Sequence, residues 1–173
     1  MLEVSALYIY PIKSLGGIEV SSAVVTDRGF QHDRRWLLVD MNNRFMTQRE
    51  ITQMALLQVT IETDGLRITH KIKGENILVP FTPQNGGACE VTVWESIVTA
   101  QYVSDVADEW FSRMLGMDCR LVYMPDDSHR RVDIRYAIDG EITTFADDYP
   151  FLIIGQSSLD DLNSRLAKPL PMN

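Results

Sequence analysis

The residues that first suggest chemistry lie in one turn near the amino terminus, in the stretch YPIKSLGGIEV over residues 10–20. Pro11 fixes its own φ angle and ends a short apolar segment. Gly16 and Gly17 can adopt backbone angles that turn successive N–H groups toward one point. Lys13 adds a positive charge and Ser14 a hydroxyl donor, so the turn predicts a site for a phosphate or carboxylate group. An ordinary hairpin turn with an exposed lysine is the alternative interpretation.

Two further segments carry donors that could serve the same anion. In DRRWLLVD, over residues 33–40, Arg34 and Arg35 directly precede a predicted strand. Because neighbouring side chains of a strand point to opposite faces, we expect only one of these arginines to face a pocket. In FMTQRE, over residues 45–50, Thr47, Gln48 and Arg49 follow an apolar pair. A surface arginine pair and a solvated loop are the alternatives, since most such side chains are exposed.

The charge balance favours a local anion site over a nucleic-acid surface. The 173 residues carry a net charge of −8, whereas faces that bind nucleic acid are basic. Five arginines nevertheless fall within residues 28–49, which we interpret as a local anion site. They are Arg28, Arg34, Arg35, Arg44 and Arg49. We therefore expect a small-molecule ligand and no nucleic acid.

Membrane and metal signals are weak in this sequence. No apolar run approaches the ~20 residues that cross a bilayer, and the first residues lack the basic start of a secretory signal. We therefore expect no membrane association and a cytoplasmic location. Cys89 and Cys119 show no metal-ligand spacing, although one disulfide between them stays open. The three histidines are scattered, which argues against a zinc site.

The elements that must position the candidate residues are mainly short strands. Segments rich in β-branched and aromatic residues alternate with turn signals, which predicts a β-barrel or a β-sandwich. Asp64 and Gly65 predict a type I′ hairpin turn. One helix is predicted over residues 105–115, with Ser104 as its cap and Gly116 at its end. Its predicted buried stripe consists of Val106, Ala107, Trp110, Phe111 and Met114, which we interpret as core.

The chain changes character after Pro125. The polar residues that follow have no steady period and predict a linker or an active-site loop. The run over 151–154 predicts a short strand, and a helix is predicted over 157–167, started by Ser157 or Ser158 and stopped by Pro169. This strand and helix would begin a new domain, and no further elements follow them in the sequence to complete its core. We therefore expect the sequence to be truncated at its carboxyl end.

Five blocks of the sequence, in order, resemble the MOSC-domain molybdenum cofactor proteins, and especially the branch of the mitochondrial amidoxime reducing component and its bacterial counterparts. The blocks are YPIKSLGGIEV, DRGFQHDRRWLLVD, RFMTQRE, FADDYPFLIIG and SSLDDLNSRL. The resemblance implies a mostly β fold: a β-barrel-like N-terminal MOSC domain with one main helix over 1–124. A connecting loop over 125–148 and the α/β beginning of a MOSC domain over 149–173 would follow. The pterin cofactor would lie between the two domains.

The resemblance also implies roles for individual residues. The residues that match cofactor contacts of the family are Lys13, Ser14, Arg34, Thr47, Arg49 and Ser158. Charged donors suit the terminal phosphate of the molybdenum cofactor, and hydroxyl donors suit its ring. The cysteine that binds molybdenum in the family would follow Asn173. The resemblance therefore implies neither a metal ligand nor a catalytic residue within these 173 residues.

Two functional hypotheses follow. In the first, the full-length protein is a molybdenum-dependent oxidoreductase that reduces N-hydroxylated or N-oxide compounds, with electrons from a partner protein or a fused redox domain. This chain alone is then expected to be inactive and to hold no molybdenum cofactor stably, because molybdenum needs a soft thiolate. In the second, the chain is a non-catalytic module that binds molybdopterin or pyridoxal phosphate for delivery or sensing. A matching cysteine beyond Asn173 would favour the first hypothesis.

Overall fold

The computed structural model describes residues 3–170, and strands are the main regular element in this part of the chain. The strands are β1 (Leu7–Ile9), β2 (Ile18–Val20), β3 (Val25–Thr26), β4 (Gly29–Phe30), β5 (Trp36–Val39), β6 (Leu57–Ile61), β7 (Gly65–His70), β8 (Asn76–Pro80), β9 (Ala88–Val93), β10 (Ser96–Tyr102), β11 (Arg120–Tyr123), β12 (Arg130–Arg131) and β13 (Ile142–Thr143). A 3-10 helix spans Thr52–Leu56, and the α-helices are α1 (Asp105–Leu115) and α2 (Gln156–Ser164). The predicted mostly β fold is confirmed.

Two antiparallel sheets carry most of the fold. The first has the strand order β5-β11-β10-β9 and the second the order β6-β7-β8. Strand β5 is buried on both faces. Trp36 and Leu38 join the core that contains residues of α1 and of the second sheet. Leu37 and Val39 join another core, which includes Phe145. A strand covered on both sides explains the unbroken apolar run WLLV, because neither face meets water.

Helix α1 forms where the sequence predicts it. The Ser104 side chain accepts a hydrogen bond from Ala107 N, and Gly116 ends the helix with a φ angle of 73°. Trp110 and Phe111 are buried, which confirms their interpretation as core. The prediction is wrong for Val106, which is exposed. The buried face of the helix is centred near the direction of Ala107. Val106 is rotated by about 100° from Ala107 and therefore lies outside that face.

The hairpin between β6 and β7 forms, but its turn lies one residue earlier than predicted. Ile61 pairs with Leu66, and Glu62 N donates to Gly65 O at 2.8 Å, so the two loop residues are 63 and 64. A Cβ atom on Gly65 would lie 2.1 Å from Val79 O in β8. Glycine is therefore required here by the close approach of a third strand, and the predicted type I′ turn at 64–65 is wrong.

The last part of the described chain departs from expectation more strongly. Residues 151–154 form no strand and pair with no edge within residues 3–170, so the predicted strand is wrong. An isolated strand is unstable in water because it lacks a neighbour for its N–H and C=O groups. Helix α2 begins after Gly155 without a side-chain cap, so neither Ser157 nor Ser158 starts it. No helix among residues 3–170 has the length and apolar character needed to cross a bilayer.

Candidate functional site

The loop over residues 10–17 is anchored between two parts of the fold. It connects β1 to β2, which pair in antiparallel fashion, so it is also a hairpin connection. On one side Lys13 N donates to Trp36 O at 2.9 Å, and Trp36 N donates to Pro11 O at 3.1 Å. On the other side Gly16 N donates to Leu57 O at 3.3 Å. The loop is therefore a hairpin connection, and one of this length can also form the wall of a cavity.

One cavity of about 540 Å³ gathers most of the predicted site residues. Its polar lining includes Lys13, Ser14, Arg34, Thr47, Gln48, Arg49, Gln58, Lys71, Trp94 and Asp147. Gln48 Nε2 donates to Ser14 O at 2.7 Å, which ties the loop over 10–17 to the segment over 47–49. Ser158 lies apart from this cavity, exposed on α2. Five of the six residues that the resemblance singles out are thus brought together, and one is not.

The cavity is predominantly cationic. Lys13, Arg34, Arg49 and Lys71 line it, and among residues 3–170 they face a single carboxylate in the lining, that of Asp147. The whole chain has a net charge of −8, so this local excess of positive charge runs against its general character. A cleft lined by one sign of charge concentrates ligands of the opposite sign. The cavity therefore suits an anionic ligand.

Arg34 is held in place by its neighbours. Its guanidinium forms an ion pair with the buried carboxylate of Asp33 and lies over the Tyr10 ring at 4.8 Å. Its backbone N–H donates to Tyr10 O at 2.8 Å, and Asp33 Oδ1 accepts from Tyr10 N at 2.7 Å. Burial raises the pKa of Asp33, and Arg34 and the Tyr10 N–H oppose that shift. The Arg34 guanidinium therefore meets the cavity in a fixed orientation.

The Lys13 ammonium is nearly enclosed. The residue is 5% exposed, and Nζ donates to Asp147 Oδ1 at 2.6 Å and lies 5.8 Å from the centroid of the Phe45 ring. Burial lowers the pKa of Lys13, and the hydrogen bond to Asp147 opposes that shift. Lys13 is thus not the exposed lysine that the hairpin alternative expects. It forms part of the cavity wall.

Backbone strain is concentrated at this cavity. Ser14, Arg34 and Trp94 have φ angles of 63°, 49° and 53°, and all three line the cavity. Positive φ angles are uncommon outside glycine and cost on the order of 1–3 kcal/mol each. Trp94 opens the two-residue turn between β9 and β10, where a glycine would be free of strain. Such strain is typical of ligand sites, so it supports a function for the cavity independently of its charge.

The arginine cluster over residues 28–49 serves two purposes. Arg28 is buried and donates to Ser128 O at 2.9 Å and to Asp126 O at 2.8 Å. Arg35 Nε donates to Met124 O at 3.0 Å. The interpretation of the whole cluster as an anion site is therefore wrong for Arg28 and Arg35, because their guanidinium groups bind the backbone over 124–128. Arg44 also lies outside the lining of this cavity. As expected, only one arginine of the pair at 34–35 faces the cavity.

Sequence reasoning missed four of the polar residues in the cavity wall: Gln58, Lys71, Trp94 and Asp147. Trp94 Nε1 donates to Asp147 Oδ1 at 3.2 Å, and its ring lies 5.6 Å from the Arg49 guanidinium. A bulky aromatic residue at a two-residue hairpin turn is a signal that the sequence did carry. Asp147 carries no such local signal, because its partner Lys13 lies 134 positions earlier.

The cysteines lie outside the cavity, and no group of three metal-binding side chains occurs within residues 3–170. Cys89 and Cys119 are both free thiols, so the disulfide alternative does not hold. Burial raises the pKa of both, that of Cys119 to about 11. Cys119 lies in the core beside α1, and Cys89 packs against the other core. Both fit the role of small apolar residues.

Comparison with known proteins gives a consistent set of relatives. A family model described as "MOSC N-terminal beta barrel domain" matches residues 1–118. Mitochondrial amidoxime-reducing component 1 of Mus musculus is 32% identical over 177 residues, which cover 95% of this chain and 51% of the relative. The Homo sapiens protein of that name is 29% identical, with coverage of 95% and 51%. The molybdenum cofactor sulfurase of Drosophila grimshawi is 28% identical, with coverage of 90% and 20%. The chain thus spans about half the length of the amidoxime-reducing components it matches.

Proposed function

The chain belongs to the family of MOSC N-terminal β-barrel domains, as its resemblance predicted, and on that basis we propose that its cationic cavity binds the phosphate-bearing end of the molybdenum cofactor. The observation that carries this proposal is the convergence of Lys13, Arg34 and Arg49 on one cavity from three separate segments. Each of these side chains is ordinary by itself, and only their convergence makes a phosphate site.

The donor set of the cavity fits a phosphate group. Arg34 and Arg49 offer planar guanidinium groups, which match the oxygens of a phosphate, and Ser14 offers a hydroxyl group. A Cβ atom on Gly17 would lie 2.5 Å from the Tyr10 ring, so glycine at this position lets Tyr10 pack beneath Arg34. No thiolate lines the cavity within residues 3–170. This part of the chain therefore fits the organic end of the cofactor rather than its metal.

For the whole protein, we propose a molybdenum-dependent oxidoreductase that reduces N-hydroxylated or N-oxide compounds. The relatives named amidoxime-reducing components support this reaction class. When bound, the cofactor supplies the oxygen-atom and electron chemistry. The residues of this chain would hold its phosphate, orient it and keep water from one side. Electrons would come from a partner protein or a fused redox domain, and this chain alone would be inactive.

A second candidate is a non-catalytic module that binds molybdopterin or pyridoxal phosphate for delivery or sensing. The cationic lining of the cavity supports it, because Lys13, Arg34 and Arg49 would suit the phosphate of either ligand. A cytoplasmic location belongs to either proposal and is supported by the free thiols at Cys89 and Cys119. The net charge of −8 supports a small-molecule ligand rather than nucleic acid.

Direct binding measurements test the phosphate site. The cofactor released from a purified molybdoenzyme, or a stable phosphorylated pterin, is titrated into the 173-residue chain and followed by pterin fluorescence. We expect Lys13→Met and Arg34→Ala each to weaken binding about tenfold or more, because each removes a charged donor to the phosphate.

Arg131→Ala is the matched control, since Arg131 is exposed and, within residues 3–170, its side chain pairs only with the exposed Asp139. It is expected to bind as the unchanged chain does. Equal affinity in Lys13→Met, Arg34→Ala and Arg131→Ala would contradict the proposed site.

A further inference from the structure

Asp147 brings a negative charge into the cationic cavity. Its Oδ1 atom accepts hydrogen bonds from Lys13 Nζ at 2.6 Å and from Trp94 Nε1 at 3.2 Å. The side chain is nevertheless 57% exposed and lines the cavity. Both donor groups that bind this carboxylate within residues 3–170 bind Oδ1, so Oδ2 is left for a donor from outside. A carboxylate held at one oxygen can accept a hydrogen bond at the other.

The backbone around Asp147 is held firmly. Arg130 is 8% exposed, and its guanidinium donates to Thr144 O at 3.1 Å, to Ala146 O, and to Asp147 O at 2.9 Å. Between these positions, Phe145 is buried in the core. A buried arginine with several backbone acceptors fixes a loop far better than an exposed contact does. Asp147 is therefore a permanent part of the wall, and a ligand must accommodate it.

The same segment also forms a backbone hydrogen bond with Arg34, one of the cationic residues of the cavity. The N–H group of Phe145 donates to the backbone carbonyl of Arg34 at 3.0 Å. Arg34 is itself one of the residues with a positive φ angle. The carboxylate of Asp147 and the guanidinium of Arg34 are thus positioned by one connected piece of backbone. Burial raises the pKa of Asp147, but hydrogen bonds from Lys13 and Trp94 and the charge of Arg49 outweigh it, so the pKa is lowered. The group is ionised at neutral pH and acts as an acceptor.

We propose that Asp147 determines the ligand specificity of the cavity: it selects anions that carry an N–H donor near their anionic group and disfavours simple polyanions. This inference rests on the proposed function of the cavity as an anion site. Arg34 and Arg49 would bind the anionic group, while Oδ2 of Asp147 accepts a hydrogen bond from the amine or amide of the same ligand. A polyanion without a donor would instead place negative charge against this carboxylate, and like charges repel.

The test compares two probes on the 173-residue chain at pH 7 and low salt, by isothermal titration calorimetry. Pyrophosphate is an anion without an N–H donor, and phosphoethanolamine carries an ammonium group beside its phosphate. We expect Asp147→Asn to bind pyrophosphate about tenfold more tightly, because the repulsion between like charges is removed. We expect it to bind phosphoethanolamine about tenfold more weakly, because a charge-assisted hydrogen bond is lost. The ratio of the two dissociation constants would then change about a hundredfold.

Two further variants show whether this effect belongs to Asp147. Asp148→Asn removes the same charge from the next, exposed residue, which does not line the cavity, and is expected to leave the ratio unchanged. Asp147→Glu keeps the carboxylate and is expected to keep the preference for phosphoethanolamine. Thermal unfolding of each variant confirms that it is folded.

The possible failures can be told apart. If Asp147→Asn changes both affinities in the same direction, or changes neither, Asp147 does not set specificity and the inference is wrong. In that case the phosphate site itself still stands, provided that Arg34→Ala weakens pyrophosphate binding. If the unchanged chain binds neither probe, the anion site and the inference both fail.

Discussion

Among single residues outside the cavity, Asp108 shows most clearly how burial alters a carboxylate. It lies in the first turn of α1, and its Oδ1 atom accepts a hydrogen bond from Leu121 N at 2.8 Å, which ties the helix to β11. Burial raises the pKa of Asp108 to about 6, against the opposing effects of that hydrogen bond and of Arg120. Ionisation of Asp108 is therefore less favourable in the folded state than in the unfolded chain.

This raised pKa makes stability depend on pH in the opposite sense to that of a salt-bridged aspartate. The pKa is about 6 in the folded state against an ordinary value of 3.8, so an unfolded chain loses this proton first as the pH rises. The contribution of Asp108 to stability therefore falls as the pH increases from about 4 to about 6. Asp108→Asn removes this titration and keeps a carbonyl oxygen as acceptor. Between pH 4 and pH 7, we expect the free energy of unfolding of the variant to increase by about 1–2 kcal/mol relative to that of the unchanged chain. This figure allows for partial solvent access to Asp108.

Urea unfolding at pH 4 and pH 7 measures this difference. Asp118→Asn, at an exposed position near the end of α1, is the control and is expected to show no such relative gain. Parallel pH profiles for Asp108→Asn and the unchanged chain would show that burial does not raise this pKa.

Among the elements, the hairpin of β6 and β7 depends on a contact with a third strand. Gly65 opens β7, and the position of its missing Cβ atom lies 2.1 Å from Val79 O in β8. Alanine at this position would force the two strands apart or break their pairing. We expect Gly65→Ala to lower the free energy of unfolding by about 2–4 kcal/mol, as measured by urea denaturation.

Gly87→Ala provides the matched control for that measurement. Gly87 lies just before β9, and its nearest neighbours would be 3.7 Å from an added Cβ atom, which is ordinary contact. A change within about 1 kcal/mol is expected there. If the two substitutions cost the same, the close approach of β8 does not determine the residue at position 65.

The same hairpin shows why some elements could be predicted from the sequence and others could not. Helix α1 was predictable because its signals are local: Ser104 caps it, and Gly116 ends it within the same stretch of chain. Gly65 was wrongly predicted to lie in the turn, because the need for glycine there comes from the close approach of β8, which begins eleven residues later. The strand predicted over 151–154 failed for a related reason, since a strand requires a partner edge that no local pattern reveals.

The residues of the candidate site also divide into those that the sequence predicts and those that depend on contacts between distant parts of the chain. The grouping of Lys13, Ser14 and Arg34 was expected from ordered blocks of sequence, and the structure places them on one cavity. Their roles toward a cofactor stay predictions. Asp147 and Trp94 complete the wall through contacts that span the chain, and positive φ angles are not visible in residue types.

In the molecule as a whole, two buried arginines hold the segment over 125–148, one from outside the segment and one from within it. Arg28 Nη1 and Nη2 donate to Ser128 O at 2.9 Å and to Asp126 O at 2.8 Å. Ser128 Oγ donates in turn to Thr99 O in β10 at 2.7 Å. Arg130 holds the other end of the segment through three carbonyl oxygens. The segment is therefore packed against the sheets rather than hanging free as a linker, and this packing is what places Asp147 in the cavity.

This arrangement predicts that Arg28→Lys will loosen the segment without unfolding the sheets. Lysine keeps the charge but presents a single ammonium group, which cannot reach two carbonyl oxygens as the guanidinium fork does. We expect the amide groups over residues 126–131 to exchange with deuterium about tenfold faster, while those of β5 and β11 stay protected. Arg131→Lys is the control, because the Arg131 side chain is 75% exposed and binds no backbone carbonyl of the segment. Unchanged exchange over 126–131, or faster exchange throughout the sheets, would show that Arg28 does not hold this segment locally.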